Sequence, residues 1–161
     1  MKFHIKVTCV TASIIIGIFL AVRIIVVLTE GESGRLKRTI YKAKSAAERE
    51  NLVGFTKYIS PRYSDELGND RRMLLLTAKS LFDDYRNIII LIDTMEIEVN
   101  GIEGTASIDA TVYWRENDSS VIIHDTAKVE AKFLKERKQW KLIELKFLEA
   151  QKRRFFNPMI S

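Results

Sequence analysis

The chain has 161 residues, 47% of them apolar and 29% charged, with only 2 Pro and 7 Gly, which bounds it to one domain of ordinary size and excludes a disordered, collagen-like or low-complexity chain. Its formal charge of +5 resides in the two ends: apart from Lys2, Lys6, Arg23, Lys152, Arg153 and Arg154, 20 basic residues face 21 acidic ones, so the body has no electrostatic footprint for nucleic acid. A single Cys excludes an intrachain disulfide, and one Cys with two His excludes the usual tetrahedral zinc site, so no metal and no cofactor is expected.

Residues 7–28 (VTCVTASIIIGIFLAVRIIVVL) hold one charge, Arg23, in 22 positions. As a helix rising about 1.5 Å per residue this run is long enough for a hydrocarbon core of about 30 Å, and Arg23 lies near the end, where it can snorkel to the headgroups. A cleaved signal peptide is the competing reading; the run is too long for it, is interrupted by a charge and is followed by no A-x-A site. Residues 1–28 are therefore expected to be a retained anchor, with the lipid bilayer as partner through residues 7–28. Lys2 and Lys6 before the span, and Glu30 and Glu32 after it, favour a cytoplasmic N-terminus. The expectation is a single-pass inner-membrane protein with its domain on the periplasmic or extracellular side.

Residues 29–34 (TEGESG) read as a polar linker, and residues 35–150 as the folded domain. Leu36, Ile40, Ala43 and Ala47 form one helical stripe. Leu52, Val53, Phe55, Tyr58 and Ile59 predict a second, short helix stopped by Ser60-Pro61, because proline disfavours helical geometry in the residue before it. Asn69 or Asp70 caps a third helix, with Leu74, Ala78, Leu81 and Tyr85 on one face.

After Asn87 the period changes to two. Residues 88–99 read as a strand whose alternation sets in at Met95, followed by a loop of about four residues from Asn100-Gly101 to Gly104. Residues 105–115 alternate with Ala106, Ile108, Ala110, Val112 and Trp114 inward, and residues 121–133 with Ile123, Ala127, Val129, Ala131 and Phe133 inward. Residues 135–139 make a charged turn, and 140–148 a last strand. There Trp140 and Leu142 are out of phase with Ile143, Leu145 and Phe147, which predicts a β-bulge near Ile143. The basic, aromatic tail 151–161 is expected to be solvated, with Lys152, Arg153 and Arg154 available to anionic lipid.

Three helices before a meander of four antiparallel strands is an α+β order, with the helices on one face of a curved sheet. This order and the phrases "ENLVGFTKYISPRYSDELG", "VNGIEGTASIDATVYW" and "RKQWKLIELKF" resemble the nuclear transport factor 2-like superfamily of conical α+β folds, over residues 35–150. That superfamily includes ketosteroid isomerases, scytalone dehydratase, SnoaL-like polyketide cyclases and many non-catalytic modules; the layout of anchor and domain also resembles the bitopic scaffold subunit of type IV secretion. The resemblance implies a fold and leaves the activity open.

Enzymes of the superfamily use an Asp or His base with Tyr or acid partners inside the cone, which requires polar residues on the inward face. Here that face is mostly aliphatic. Asp125, in phase with Ile123 and Ala127, and Asp93 are the only weak catalytic candidates, and a solvated strand-end carboxylate is the plainer reading of each. His124 and Asp125 are strand neighbours and point to opposite faces. Tyr63, Tyr85, Ala110, Val112, Trp114 and Val129 are the expected lining of a narrow apolar pocket, while Asp65 fits a structural turn. No G-x-S-x-G, P-loop, dinucleotide fingerprint or H-E-x-x-H occurs. The leading expectation is a non-catalytic domain binding a protein partner or a small apolar ligand; the alternative is a SnoaL-like or isomerase-like enzyme acting on an apolar substrate. Ser107, Asp109, Thr111, Lys128, Glu130 and Lys132 on the outer face predict a monomer, or a weak dimer through Tyr113, Ile122, His124 and Trp140.

Overall fold

A computed structural model describes residues 31–150. The expected anchor over 7–28 and the tail over 151–161 lie outside the described residues. Among the described residues no helix is long and apolar enough to cross a membrane.

Helix α1 (Glu32–Glu48) starts earlier than the composition suggests: Gly31 is its N-cap, and the Glu-Ser-Gly read as linker forms its first turn, where Glu32 suits the positive end of the helix dipole. It buries Leu36, Ile40 and Ala46. Ala47 of the expected stripe is partly buried, against the cluster of Ala78, Phe82, Ile88 and Trp114. Helix α2 (Leu52–Thr56) is capped by the Asn51 side chain, which accepts from Gly54 N at 2.9 Å. It stops short of the expected Ile59. Helix α3 (Arg71–Asp84) is capped by Asp70 through Met73 N at 2.9 Å, and buries Ala78 and Phe82.

Strands β1 (Tyr85–Asn100), β2 (Glu103–Glu116), β3 (Ile122–Glu136) and β4 (Gln139–Ala150) form an antiparallel meander in the order β1-β2-β3-β4. Tyr85 thus opens β1 and is not on the last turn of α3, because the chain turns extended at once after Asp84. The β1–β2 loop is two residues, Gly101 (φ +61) and Ile102, shorter than expected. Gly104 belongs to β2, where it is buried; an added Cβ would come within 2.6 Å of Leu36 Cδ2 and 3.3 Å of Trp140. The glycine is there for close packing.

Four register shifts bend the sheet. In β4 one extra residue at Ile143 matches the expected bulge, and a second shift lies opposite Lys128 and Val129. In β1 one shift lies at Asn87 (φ +55) and one at Asp93. The Asp93 bulge reverses the phase of β1: Ile88, Ile90 and Ile92 face inward before it, and Met95, Ile97 and Val99 after it. Each free edge is met by another segment over part of its length. Glu48 of α1 accepts from Ile90 N at 2.9 Å on β1, and the 58–64 segment runs along β4 through Ser60 N to Leu142 O, Leu142 N to Tyr58 O and Ser64 N to Ile143 O.

The inward face carries two apolar clusters. One, under α1, joins Leu36, Ile40, Ala106, Ile108, Ala131, Phe133 and Trp140. The other, under α2 and α3, joins Ala78, Phe82, Ile88 and Trp114. Trp140 is 3% exposed, so it is core and not part of an outer patch: the bulge at Ile143 lets it and Leu145 face the same side.

Candidate functional site

In a curved α+β sheet of this kind the chemical site, where one exists, is the concave face. Ala110 and Val129 are half-buried against the first cluster, and Val112 against the second, whose centre is Trp114 at 3% exposure. Tyr85 joins the second cluster, its ring 6.0 Å from that of Trp114. Five of the six expected lining residues are thus on or beside the inward face, where they pack against other side chains.

Tyr63 is elsewhere. It is buried in the 58–64 segment along β4, and its hydroxyl donates to Asp65 Oδ2 at 3.5 Å. Burial, then the Asp65 charge, pushes its phenol well above the ordinary range, so it stays protonated. Asp65 is committed to the turn: its Oδ1 accepts from Leu67 N and Asn69 N, each at 2.9 Å, and its Oδ2 from Asn69 Nδ2 at 3.0 Å. This is the structural role read from the sequence.

The two carboxylate candidates separate. Counting back in twos from Met95 would aim Asp93 inward, but the bulge breaks that count. Asp93 is exposed on the outer face, where its Oδ2 accepts from Thr111 at 2.9 Å, while Thr94 donates to Asp109 at 2.8 Å. These two reciprocal Thr–Asp bonds hold the bulge, a role that no spacing rule reveals. Asp125 pairs in register with Val112 and shares its inward face, half-exposed, with its Oδ1 accepting from Thr126 N at 2.8 Å. It is a lone carboxylate among apolar neighbours. His124 lies on the outer face and stacks on Tyr113, ring centroids 5.6 Å apart.

Two depressions lie outside the cone. One, of about 520 Å³, runs between α2 and α3 over Leu52, Leu75 and Leu76, with Arg71, Arg72 and Lys79 on its rim. The other, of about 450 Å³, lies between Pro61 and the β3–β4 turn and is lined by Glu136, Arg137, Gln139 and Lys141. Sequence reasoning singled out neither, because both arise where segments distant in the chain meet. Beside the second, Glu136 Oε1 accepts from the hydroxyl of buried Ser60 at 2.7 Å and from Arg62 Nη2 at 3.3 Å. Those partners, Ser60 first, hold the Glu136 carboxyl below the usual range. Among the described residues no group of His, Cys, Asp and Glu is placed to hold a metal ion.

The chain matches no protein-family model and no curated protein in sequence. In three dimensions it is similar to a nuclear transport factor 2-like superfamily protein from Salmonella enterica serovar Typhimurium (TM-score 0.62, 13% identity, covering 73% of this chain and 90% of that one). It is also similar to a scytalone dehydratase candidate from Novosphingobium aromaticivorans (TM-score 0.64, 11% identity, covering 71% and 83%). A third similarity is to Bd1075 of Bdellovibrio bacteriovorus (TM-score 0.59, 13% identity), of whose length this chain spans only 39%. Residues 31–150 have the nuclear transport factor 2-like fold, and at these identities the likeness is one of fold alone.

Proposed function

We propose that this nuclear transport factor 2-like domain is a non-catalytic binding module, tethered to a membrane through residues 7–28 and directed toward a protein partner. The observation that carries the reading is the make-up of the inward face. Between Ala106 and Trp114 of β2 and between Ile123 and Phe133 of β3 the inward residues are Ala106, Ile108, Ala110, Val112, Trp114, Ile123, Ala127, Val129, Ala131 and Phe133, with Asp125 as the one carboxylate, and Tyr63 is turned away toward Asp65. A proton-transfer site of this fold needs at least two ionisable groups converging on one substrate atom. The surface offers binding area instead: Ile89, Leu91 and Ile122 are about half exposed or more on the outer face, and Leu76 lies open over the α2–α3 depression.

Asp125 favours one second reading, an isomerase- or dehydratase-like enzyme using that carboxylate as base toward an apolar substrate. An environment-sensitive apolar dye separates the two. The protein-partner reading expects no saturable uptake by the native chain and no change with Asp125→Asn; saturable binding displaced by Ala110→Trp, which fills the cone, would overturn it, and solvent-proton exchange into a bound enone that is lost with Asp125→Asn would assign the enzyme. Anchor and orientation are tested by reporter fusions after Ser161. Activity of an extracytoplasmic reporter is expected, and a mature N-terminus found beyond residue 28 would remove the anchor. The outer face carries Asp109, Lys128 and Glu130 beside its apolar end, so the domain is monomeric or pairs weakly through Ile89, Tyr113, Ile122 and His124. Sedimentation at micromolar concentration checks this, and a stable dimer covering Asp109 and Lys128 would refute it.

A further inference from the structure

The two ends of the domain differ in charge, and the difference is aligned with the point where the chain enters. Helix α1 begins at Glu32, whose Oε1 accepts from Lys135 Nζ at 2.8 Å and Arg35 Nη1 at 3.2 Å. Lys135 precedes the β3–β4 turn, and its backbone N–H donates to Ile102 O of the β1–β2 turn at 2.8 Å. The start of α1 and the tips of both hairpins therefore occupy one end. At that end Arg137 and Lys138 form a two-residue turn between Glu136 and Gln139, with φ of +47 and +69. A hairpin turn with both φ positive is ordinarily filled by Asn-Gly. Here two exposed cations occupy it, and neither makes an ion pair within the described residues. Ile102 beside them is 61% exposed. Two acids of this end are engaged, Glu32 as above and Glu136 by Ser60 and Arg62, while Glu98 and Glu103 on the β1–β2 hairpin are exposed. The opposite end gathers Asp83, Asp84, Glu116 and Asp118, all exposed, around Asn117, which donates to Asp83 O and Asp84 O; there Asp83 is paired with Lys79, and Asp84 accepts from Ser80 at 3.2 Å.

We propose that the Glu32 end, with Arg137 and Lys138 at one hairpin tip and Ile102 at the other, docks on the anionic headgroup surface of the membrane that holds the chain. The inference rests on the tether reading of residues 7–28. Only residues 29–31 separate Leu28 from Glu32, and at roughly 3.5 Å per residue that is at most about 14 Å, under two screening lengths of about 8 Å in physiological salt. The opposite, acidic end lies a strand of 14 residues away, about 45 Å. Arg137 and Lys138, exposed at a turn and within reach of the surface, are the cations of this end that the headgroup field would attract. Left-handed backbone at two adjacent non-glycine residues is the kind of local strain that persists where the side chains have a use.

The test uses the full chain with Cys9→Ser and one new thiol, at Gln139→Cys beside the basic tip or at Ser120→Cys at the acidic end. Each carries a fluorophore, in vesicles containing headgroup-spin-labelled lipid, of pure phosphatidylcholine or with about one third phosphatidylglycerol. Quenching at residue 139 is expected to exceed that at residue 120, and to rise about threefold in the anionic vesicles. The double variant Arg137→Asn/Lys138→Gly, which installs the preferred turn and so does not endanger folding, should return it to the neutral-vesicle level. Equal quenching in both vesicle types, or no response to the double variant, overturns the docking while leaving the tether intact. A chain that fails to float with vesicles of either composition overturns the tether itself, and the docking with it.

Discussion

The two apolar clusters of the inward face are closed by different means. Under α1, Leu36 and Ala106 are completely buried, and the helix approaches so near that β2 must present a glycine to it. Under α2 and α3 no residue is completely buried, and closure depends on aromatic edges, with Phe55 and Phe82 at 6.4 Å in a T-shaped contact and Tyr85 against Trp114. The first cluster is a fitted interface between a long helix and four strands. The second is a cover made of short pieces, which yields more easily when one piece changes.

The largest test of that contrast is a pair of leucine truncations. Leu36→Ala is expected to destabilise the domain by about 3–5 kcal/mol, because no neighbour can move into the space, whereas Leu52→Ala at the margin of the second cluster should cost about 1–2 kcal/mol. Chemical denaturation measures both, and equal costs would dissolve the distinction. Gly104→Ala comes next, at about 1–3 kcal/mol, since its methyl meets Leu36 Cδ2 and the Trp140 ring. Leu36→Ala in the same chain should recover part of that loss, a coupling that the second cluster, with no buried glycine, cannot show.

Arg137→Asn/Lys138→Gly at the basic tip should act in the opposite direction and raise stability by about 1–2 kcal/mol, by relieving left-handed backbone at two L-residues. A loss of stability would mean that the two side chains support the first cluster. The smallest effect is on acid sensitivity. Glu136 is held below the ordinary carboxylate range by Ser60, and then by Arg62, so its contribution is present above the glutamate value of 4.5 and disappears as pH falls through the folded value. Glu136→Gln should lower the melting temperature at pH 7 and flatten its decline below about pH 4.5. An unchanged acid limb would leave Glu136 no part in linkage.

Much of this was legible without coordinates wherever a period repeats. The inward faces of β2 and β3 follow from strict alternation, and the phase clash of Trp140 and Leu142 with Ile143, Leu145 and Phe147 announced the bulge in β4. The bulge in β1 was just as present in the shift of alternation at Met95, yet Asp93 read as an inward candidate because one slipped residue changes the face of everything before it. Tyr63 read as a wall of the pocket because its turn is distinctive in sequence, but which strand edge a turn covers is a long-range fact. Trp140 read as outward because a terminal strand residue has only one neighbour to set its phase.

Composition and periodicity by themselves determined the apolar run of residues 7–28, the order of three helices and four strands, and the aliphatic character of the inward face, because each depends on residues close in the chain. Tertiary structure alone decided that Gly104 is a packing residue, that Asp93 and Asp109 pin a bulge through Thr111 and Thr94, and that residues 58–64 pair with β4 at Leu142 and Ile143. Those features join residues from 15 to 84 positions apart. No local spacing encodes such a contact; it exists only once burial of the two clusters has fixed which segments meet.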